Sequence, residues 1–185
     1  MDAMEAILSR RSIRRYTLDA VADETIGQLL EAGMAAPSAG DERPWHFVVI
    51  TDRDMLARIP TFHSLSRFVP KAALAILVCA DLALSKYPPA DYWVQDCSAA
   101  TQNILLAAHA AGLGAVWLGV HPTEERIDGF RRLCRLPDPV APFSLVAIGH
   151  PAVRKEREHR FDPTRVHRER WTPPEEPGAG GRATR

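Results

Sequence analysis

Four arginines and a serine fall within six residues, Arg10-Arg11-Ser12-Ile13-Arg14-Arg15. A guanidinium offers a planar fork of donors that matches phosphate oxygens, and a serine hydroxyl adds one more. Placed where a short helix runs out into a turn, such a group makes a phosphate cradle. Arginine clusters also commonly do no more than solvate a surface. A second donor-rich stretch is Pro37-Ser38-Ala39-Gly40-Asp41-Glu42-Arg43-Pro44-Trp45, a polar loop held between two prolines. A third is Gly112-Leu113-Gly114-Ala115-Val116-Trp117-Leu118-Gly119, a strand-like run rimmed by glycines that let backbone approach a ligand closely. Its order is helix, glycine, strand, so it is not the strand–glycine–helix fingerprint of a dinucleotide fold.

The rest of the chemistry is sparse. No Ser-His-Asp order, zinc spacing or P-loop occurs, and the seven histidines are scattered. His109 sits on a long apolar helical pattern, where a satisfied core or interface role is commoner than a base. Cys79, Cys97 and Cys134 are far apart, which argues for a reducing compartment and against a disulfide framework. Cys79 and Cys97 fall in apolar patterns and read as small core residues. An anion cradle without an acid–base pair suits a protein whose cofactor carries the hard chemistry, and a phosphate-bearing flavin or nicotinamide fits.

The elements that must hold these residues follow from periodicity. Met4, Ile7 and Leu8 mark a short first helix. Asp23 to Ala36 reads as a helix with Asp23 as N-cap and Ile26, Leu29, Leu30 and Gly33 on one face. Phe47–Ile50 is a strand, and Asp52 caps a helix reaching Ile59. The stretch 60–70 shows no clear period and carries Phe62, His63, Ser64, Arg67 and Phe68; such a loop could lie over a ligand or pack on the surface. Ala72–Ala80 is apolar throughout, a strand buried on both faces.

Residues 81–90 read as a proline-broken connector. In 92–111, Trp93, Cys97, Ala100, Ile104, Ala107 and Ala111 recur at steps of four and three, giving a helix apolar on most faces that Gly112 ends with a left-handed cap. Ala115–Leu118 is a strand, Glu124–Cys134 a helix and Phe143–Gly149 a last core strand.

The 185 residues carry 23 Lys/Arg and 23 Asp/Glu, so the chain as a whole has no field to gather nucleic acid or anionic membrane. No apolar run of about 18 residues is present, and the acidic N-terminus lacks a signal core; a cytoplasmic location is the expectation. From Arg154 to Arg170, seven Lys/Arg against four Asp/Glu interleave with His159, Phe161 and His167, an arm able to wrap a partner or a solvated tail. The stretch 172–185, rich in Pro, Glu and Gly, reads as disordered. The expected organisation is one domain over 1–171 with a tail.

Together, the arginine segment, the 37–45 loop and the run Asp96…Gln102-Asn103-Ile104-Leu105-Leu106-Ala107-Ala108…Gly112 to Gly119 resemble the nitroreductase family of FMN flavoproteins. The close of the arm, Arg160-Phe161-Asp162…Val166-His167…Trp171, is also similar to its shorter members. The resemblance covers about residues 1–171. It implies an α+β fold, a mostly antiparallel sheet flanked by helices, in an intertwined homodimer with FMN at the subunit interface.

Carried over, Arg10, Arg11, Ser12 and Arg14 would hold the FMN phosphate and the pyrimidine edge of the ring, with Arg160 adding a phosphate contact. Pro37, Ser38 and Ala39 would reach in from the other subunit. Leu118 and Gly119 would present a backbone N–H to flavin N5, and no side chain is assigned as acid, base or metal ligand. Asp41 and Arg43 stand where Asn and Gln are usual, so Asp41 either accepts from ring N3–H or pairs with Arg43. The implied activity is ping-pong transfer of hydride from NAD(P)H through FMN to an electron-poor small molecule, a nitroaromatic or quinone. A flavin carrier or sensor without turnover, or another FMN chemistry on the same scaffold, is the alternative.

Overall fold

The computed structural model describes residues 1–87 and 91–171; the expected disordered tail lies outside the described residues. Four strands form one sheet: β1 (Trp45–Ile50), β2 (Leu74–Asp81), β3 (Gly114–Gly119) and β4 (Val140–Gly149), in the order β1-β2-β4-β3. Every strand pair is antiparallel, as expected for an α+β architecture. Around the sheet lie α1 (Ala3–Ser9), α2 (Asp23–Met34), α3 (Arg53–Arg58), α4 (Tyr92–Ala110) and α5 (Glu124–Cys134).

The unbroken apolar sequence of β2 is explained by its two faces. Leu74, Ile76, Val78 and Ala80 pack with α2 and α4 through Leu29, Cys97, Ala100 and Ile104. Ala75, Leu77 and Cys79 pack the other way, with Leu56, Ile59, Phe130 and Leu133. Successive strand residues point to opposite faces, so a strand covered on both sides must be apolar at every position. Each fully buried Leu or Ile contributes roughly 1.5–3 kcal/mol. Burial raises the thiol pKa values of Cys79, to about 12, and of Cys97, in keeping with inert core residues.

Local chemistry sets most boundaries. The Asp52 carboxylate accepts from the Met55 N–H at 2.8 Å and opens α3. Gly112, at φ +77°, closes α4, its N–H donating to the His109 carbonyl. Asp23 is instead the first residue inside α2, after a non-bonding Ala22 cap, where its charge still favours the helix dipole. The 60–70 stretch is neither helix nor free lid. Three single 3₁₀ turns, Ile59–Thr61, Ser64–Ser66 and Val69–Lys71, bury Ile59, His63, Ser66 and Val69.

Two sets of large apolar side chains stay exposed among the described residues, although Trp171 stacks on His167. Met4, Ile7 and Leu8 on α1 are exposed, with Ala6 its one buried residue. Phe161 and Trp171 on the arm are 70% and 78% exposed.

Gly129 on α5 marks the tightest packing of the second core. A Cβ there would lie 2.1 Å from Phe62 Cδ2 and 2.3 Å from Cγ, while the Phe62 ring is itself held edge-on against Phe130, centroids 5.0 Å apart. Alanine gains about 1 kcal/mol in helix propensity, but the overpacking costs about 1–3 kcal/mol. Gly129→Ala should therefore lower stability in urea unfolding; a gain of the full helix-propensity increment would contradict this packing.

Candidate functional site

The site grows from the sheet's open edge. β3 is an outer strand, and the Val120 N–H donates inward to the Phe143 carbonyl of β4. Antiparallel alternation then turns the backbone groups of Ala115, Trp117 and Gly119 outward. The N-terminal segment occupies one end of that edge: Ile13 N–H donates to the Ala115 carbonyl at 3.0 Å, beside a parallel bridge between Ser12 and Ala115. Farther along, Thr17 N–H donates to the His150 carbonyl and Ala152 N–H to the Arg15 carbonyl, each at 2.9 Å. The buried Tyr16 hydroxyl donates to the carbonyls of Ile13 and Ala147, at 2.7 and 3.1 Å. Gly119 lies four residues up the strand from Ala115, about 13 Å at the usual rise. Arginine segment and glycine-rimmed strand end therefore share one edge.

The arginines divide into different jobs. Arg11 is buried, and its guanidinium donates to the carbonyls of Leu8, Arg10, Glu156 and Glu158. It ties the C-terminal arm to the N-terminal segment, and its donors are committed to backbone rather than open to a phosphate. Arg10 differs. Its Nε is buried without a hydrogen-bond partner, and burial, then Arg160 and Arg11, lower its pKa from the ordinary arginine value. It lines a cavity of about 170 Å³ with Arg157, Arg160 and Phe161. Arg160 reaches this cavity while holding Glu158 at 2.6 Å. The Ser12 hydroxyl makes no hydrogen bond among the described residues. A buried guanidinium donor beside like charges is costly unless an anion meets it.

The other expected residues lie elsewhere in one chain. In the 37–45 loop the Ala39 N–H donates to Asp96 Oδ1 at 2.9 Å and the Arg43 N–H to Ser38 Oγ at 3.0 Å; Pro37 is exposed. Asp41 grips Arg43 through both oxygens, at 2.7 and 3.0 Å, an exposed pair within the loop. Neither cavity lined by Arg10 or Arg14 includes any residue of this loop. Arg14 is exposed and opens on a separate cleft. Leu118 is buried, and Gly119 is exposed.

Sequence reasoning missed two residues that hold the Gly119 carbonyl. The Gly119 carbonyl accepts from His63 Nε2 at 3.0 Å and from Arg126 Nη1 at 2.8 Å. His63 is 1% exposed, and its Nδ1 has no partner. Burial, then the Arg126 charge, push its pKa below the ordinary 6.5, against the opposing pull of the Gly119 carbonyl. Within the sequence, the signal was a histidine in the aperiodic stretch 60–70. The loop is likewise held by Asp96, a buried carboxylate whose pKa burial raises.

An antiparallel sheet with helices on both faces defines an α+β protein, and an unpartnered buried guanidinium nitrogen sits by its open edge. The chain belongs to the nitroreductase family, whose model matches residues 7–62 and 62–150. It is 52% identical over 171 residues to a protein of Methanothermobacter thermautotrophicus with the provisional name NADH dehydrogenase/NAD(P)H nitroreductase, covering 92% of this chain and 88% of that one. A solved structure from Bacteroides thetaiotaomicron with the same provisional name superposes with a TM-score of 0.87 at 39% identity, over 91% of this chain and 98% of that one. A Desulfovibrio desulfuricans structure, provisionally a nitroreductase in complex with FMN, gives 0.78 at 34% identity, over 93% and 99%.

A histidine whose folded pKa lies below 6.5 refuses a proton that the unfolded chain accepts. Stability is therefore full above that value and falls as the solution is acidified, by at most about 1.4 kcal/mol per pH unit for one group. His63→Gln keeps a donor for Gly119 without titrating. Urea unfolding at about pH 7.5 and about pH 5.5 should show a larger loss for the wild type than for the variant. Equal losses would contradict a neutral buried His63.

Proposed function

We propose that this chain is an FMN-dependent oxidoreductase that takes hydride from NAD(P)H and passes it to an electron-poor small molecule, working as a homodimer. The observation that carries the reading is the unpartnered, buried Arg10 Nε, two residues before the Ser12 bridge to β3, the outer strand whose other end turns the backbone of Gly119 outward. One end of that edge fits a phosphate; the other fits a flat ring that needs a fixed N–H donor. The names of the related proteins support both the flavin and the nicotinamide donor.

FMN, when bound, would supply the hydride-transfer chemistry. This chain's residues do the rest. Arg10 and Ser12, with Arg160 from the arm, would hold the phosphate, and Arg14 would stabilise negative charge on the pyrimidine edge. The Gly119 N–H would offer flavin N5 a donor that cannot titrate, a preorganised form of electrostatic stabilisation. His63 and Arg126 hold the following peptide, through the Gly119 carbonyl, and so steady the strand end beside that N–H. Arg11 acts indirectly, by pinning the arm that delivers Arg160.

A second copy supplies what one chain leaves open. It covers the exposed stripe Met4, Ile7 and Leu8 and the arm's Phe161 and Trp171, since apolar patches of this kind mark interfaces. It also brings Pro37, Ser38 and Ala39 to the ring. The domain runs over 1–171.

Purified protein should be yellow, sediment as a dimer, and lose its visible flavin band on adding NAD(P)H; colourless protein that ignores added FMN would end the reading. Arg10→Ala and Ser12→Ala should leave unfolding midpoints nearly unchanged. Losing a charge-assisted phosphate contact at Arg10 is worth about 1.5–3 kcal/mol, so FMN should dissociate roughly ten- to a hundredfold more readily. Unchanged FMN affinity in both variants would show the cradle to be surface decoration.

A further inference from the structure

Two carboxylates are buried where the 37–45 loop meets α4, and neither belongs to the FMN cradle. Glu42 is 8% exposed and Asp96 is 4% exposed. They divide their oxygens alike. Glu42 Oε1 accepts from the Lys86 N–H, and Asp96 Oδ1 from the Ala39 N–H. The remaining oxygen of each, Glu42 Oε2 and Asp96 Oδ2, is buried with no hydrogen-bond partner. One 3₁₀ turn, Ala39–Asp41, connects the two grips, since the Glu42 N–H donates to the Ala39 carbonyl at 3.0 Å.

Among the described residues no ion pair includes Glu42 or Asp96. On the loop, Arg43 is taken by Asp41. On the 82–87 connector, the Lys86 ammonium donates to the Gly40 carbonyl at 2.9 Å. Asp81, at the end of β2, accepts from the Ala83 N–H. On α4 itself, Asp91 accepts from the Trp93 indole at 3.4 Å, and burial keeps the Cys97 thiol uncharged. The charged neighbour that acts on Asp96 is Glu42: burial raises the Asp96 pKa and the Glu42 charge adds to it, against the pull of the Ala39 N–H. Two ionised carboxylates in one buried site repel, and each unpaired oxygen has lost its hydration for nothing. A single proton answers both, because a protonated carboxyl is a donor and an ionised one an acceptor, a charge-assisted bond of the strong class.

We propose that Glu42 and Asp96 hold one proton between their two unpartnered oxygens at neutral pH, and that this pair positions the 37–45 loop against the flavin. The second half rests on the FMN reading above, in which Pro37, Ser38 and Ala39 reach the ring. Both are positioning residues, acting on the ring only through the loop. Asp96 sets the Ala39 peptide. Glu42 ties in the connector, whose Tyr87 ring lies against Gly40, where an added Cβ would come within 2.8 Å of it. A carboxyl that favours its proton in the folded chain stabilises below its pKa, and that contribution is lost as pH rises through it. Alkaline solution therefore leaves two like charges under the loop and loosens it.

Hydrogen exchange of the loop amides, with exposure times corrected for base catalysis, tests the pair on the purified protein and on D96N and E42Q. In each variant an amide N–H replaces the shared proton and the acceptor for the backbone is kept, so the clasp no longer titrates. Between about pH 6 and about pH 8.5, protection of residues 37–45 relative to β2 should fall about tenfold in the wild type and hold steady in both variants. FMN should leave the wild type about tenfold faster at the higher pH, and leave the variants at one rate throughout. Flat protection in the wild type would overturn the shared proton. So would a loop that opens in D96N at every pH while β2 stays protected, or protection that follows added Ca²⁺ or Mg²⁺ instead of pH. Should D96N fail to fold, E42Q decides alone. A loop that loosens with pH while FMN release stays constant would overturn the positioning role. Should the protein bind no flavin, the FMN reading fails and the positioning role with it, while exchange still decides the shared proton.

Discussion

The lacing of residues 10–17 onto the sheet is the contact on which the rest of the molecule depends. An outer strand with unpaired backbone groups invites the wrong partner. Here the Ile13–Ala115 bond closes one end of β3, and the bonds from Thr17 and Ala152 continue the seam past β4. Tyr16 locks the segment from beneath with two hydrogen bonds from a buried hydroxyl. That seam sets Arg10 and Ser12 at one end of the open edge and leaves Gly119 at the other. Arg11 extends the same device to the C-terminus, because its guanidinium carries the arm.

Rigidity behind that edge comes from the sheet. β2 and β4 are buried along nearly their whole length, with α2 and α4 on one face and α3, α5 and the 3₁₀ turns on the other. A core of this density does not yield to the repulsion among surface cations. Charge can therefore accumulate, as it does around Arg10, until an anionic ligand relieves it. The same turns bring His63 to the Gly119 carbonyl, so the end of β3 is set by packing and a buried imidazole.

How far the sequence foretold this depended on whether the cause was local. The apolar run of β2, the four-three steps of α4, the Asp52 cap and the Gly112 terminator each act within a few residues, and each was legible. The Asp23 cap was misjudged because a carboxylate just inside a helix satisfies the same pattern as one at its edge. Of the arginines, Arg11 looked like the others, yet its partners are the carbonyls of Glu156 and Glu158, some 145 and 147 positions away. Asp41 offered two partners, and the nearer one, Arg43, holds it. His63 was invisible as a functional residue because only folding brings it to Gly119, 56 positions distant. The exposed stripe of α1 read correctly as a helix; what covers it is not written in a single chain.

A crystal structure of the protein grown with FMN tests the central claim most directly, because it locates the flavin relative to the laced edge. The account requires the phosphate against Arg10 and Ser12, N5 beside the Gly119 N–H, and the 37–45 loop of a second chain against the ring. A flavin bound away from β3, or enclosed wholly by one subunit, would contradict it.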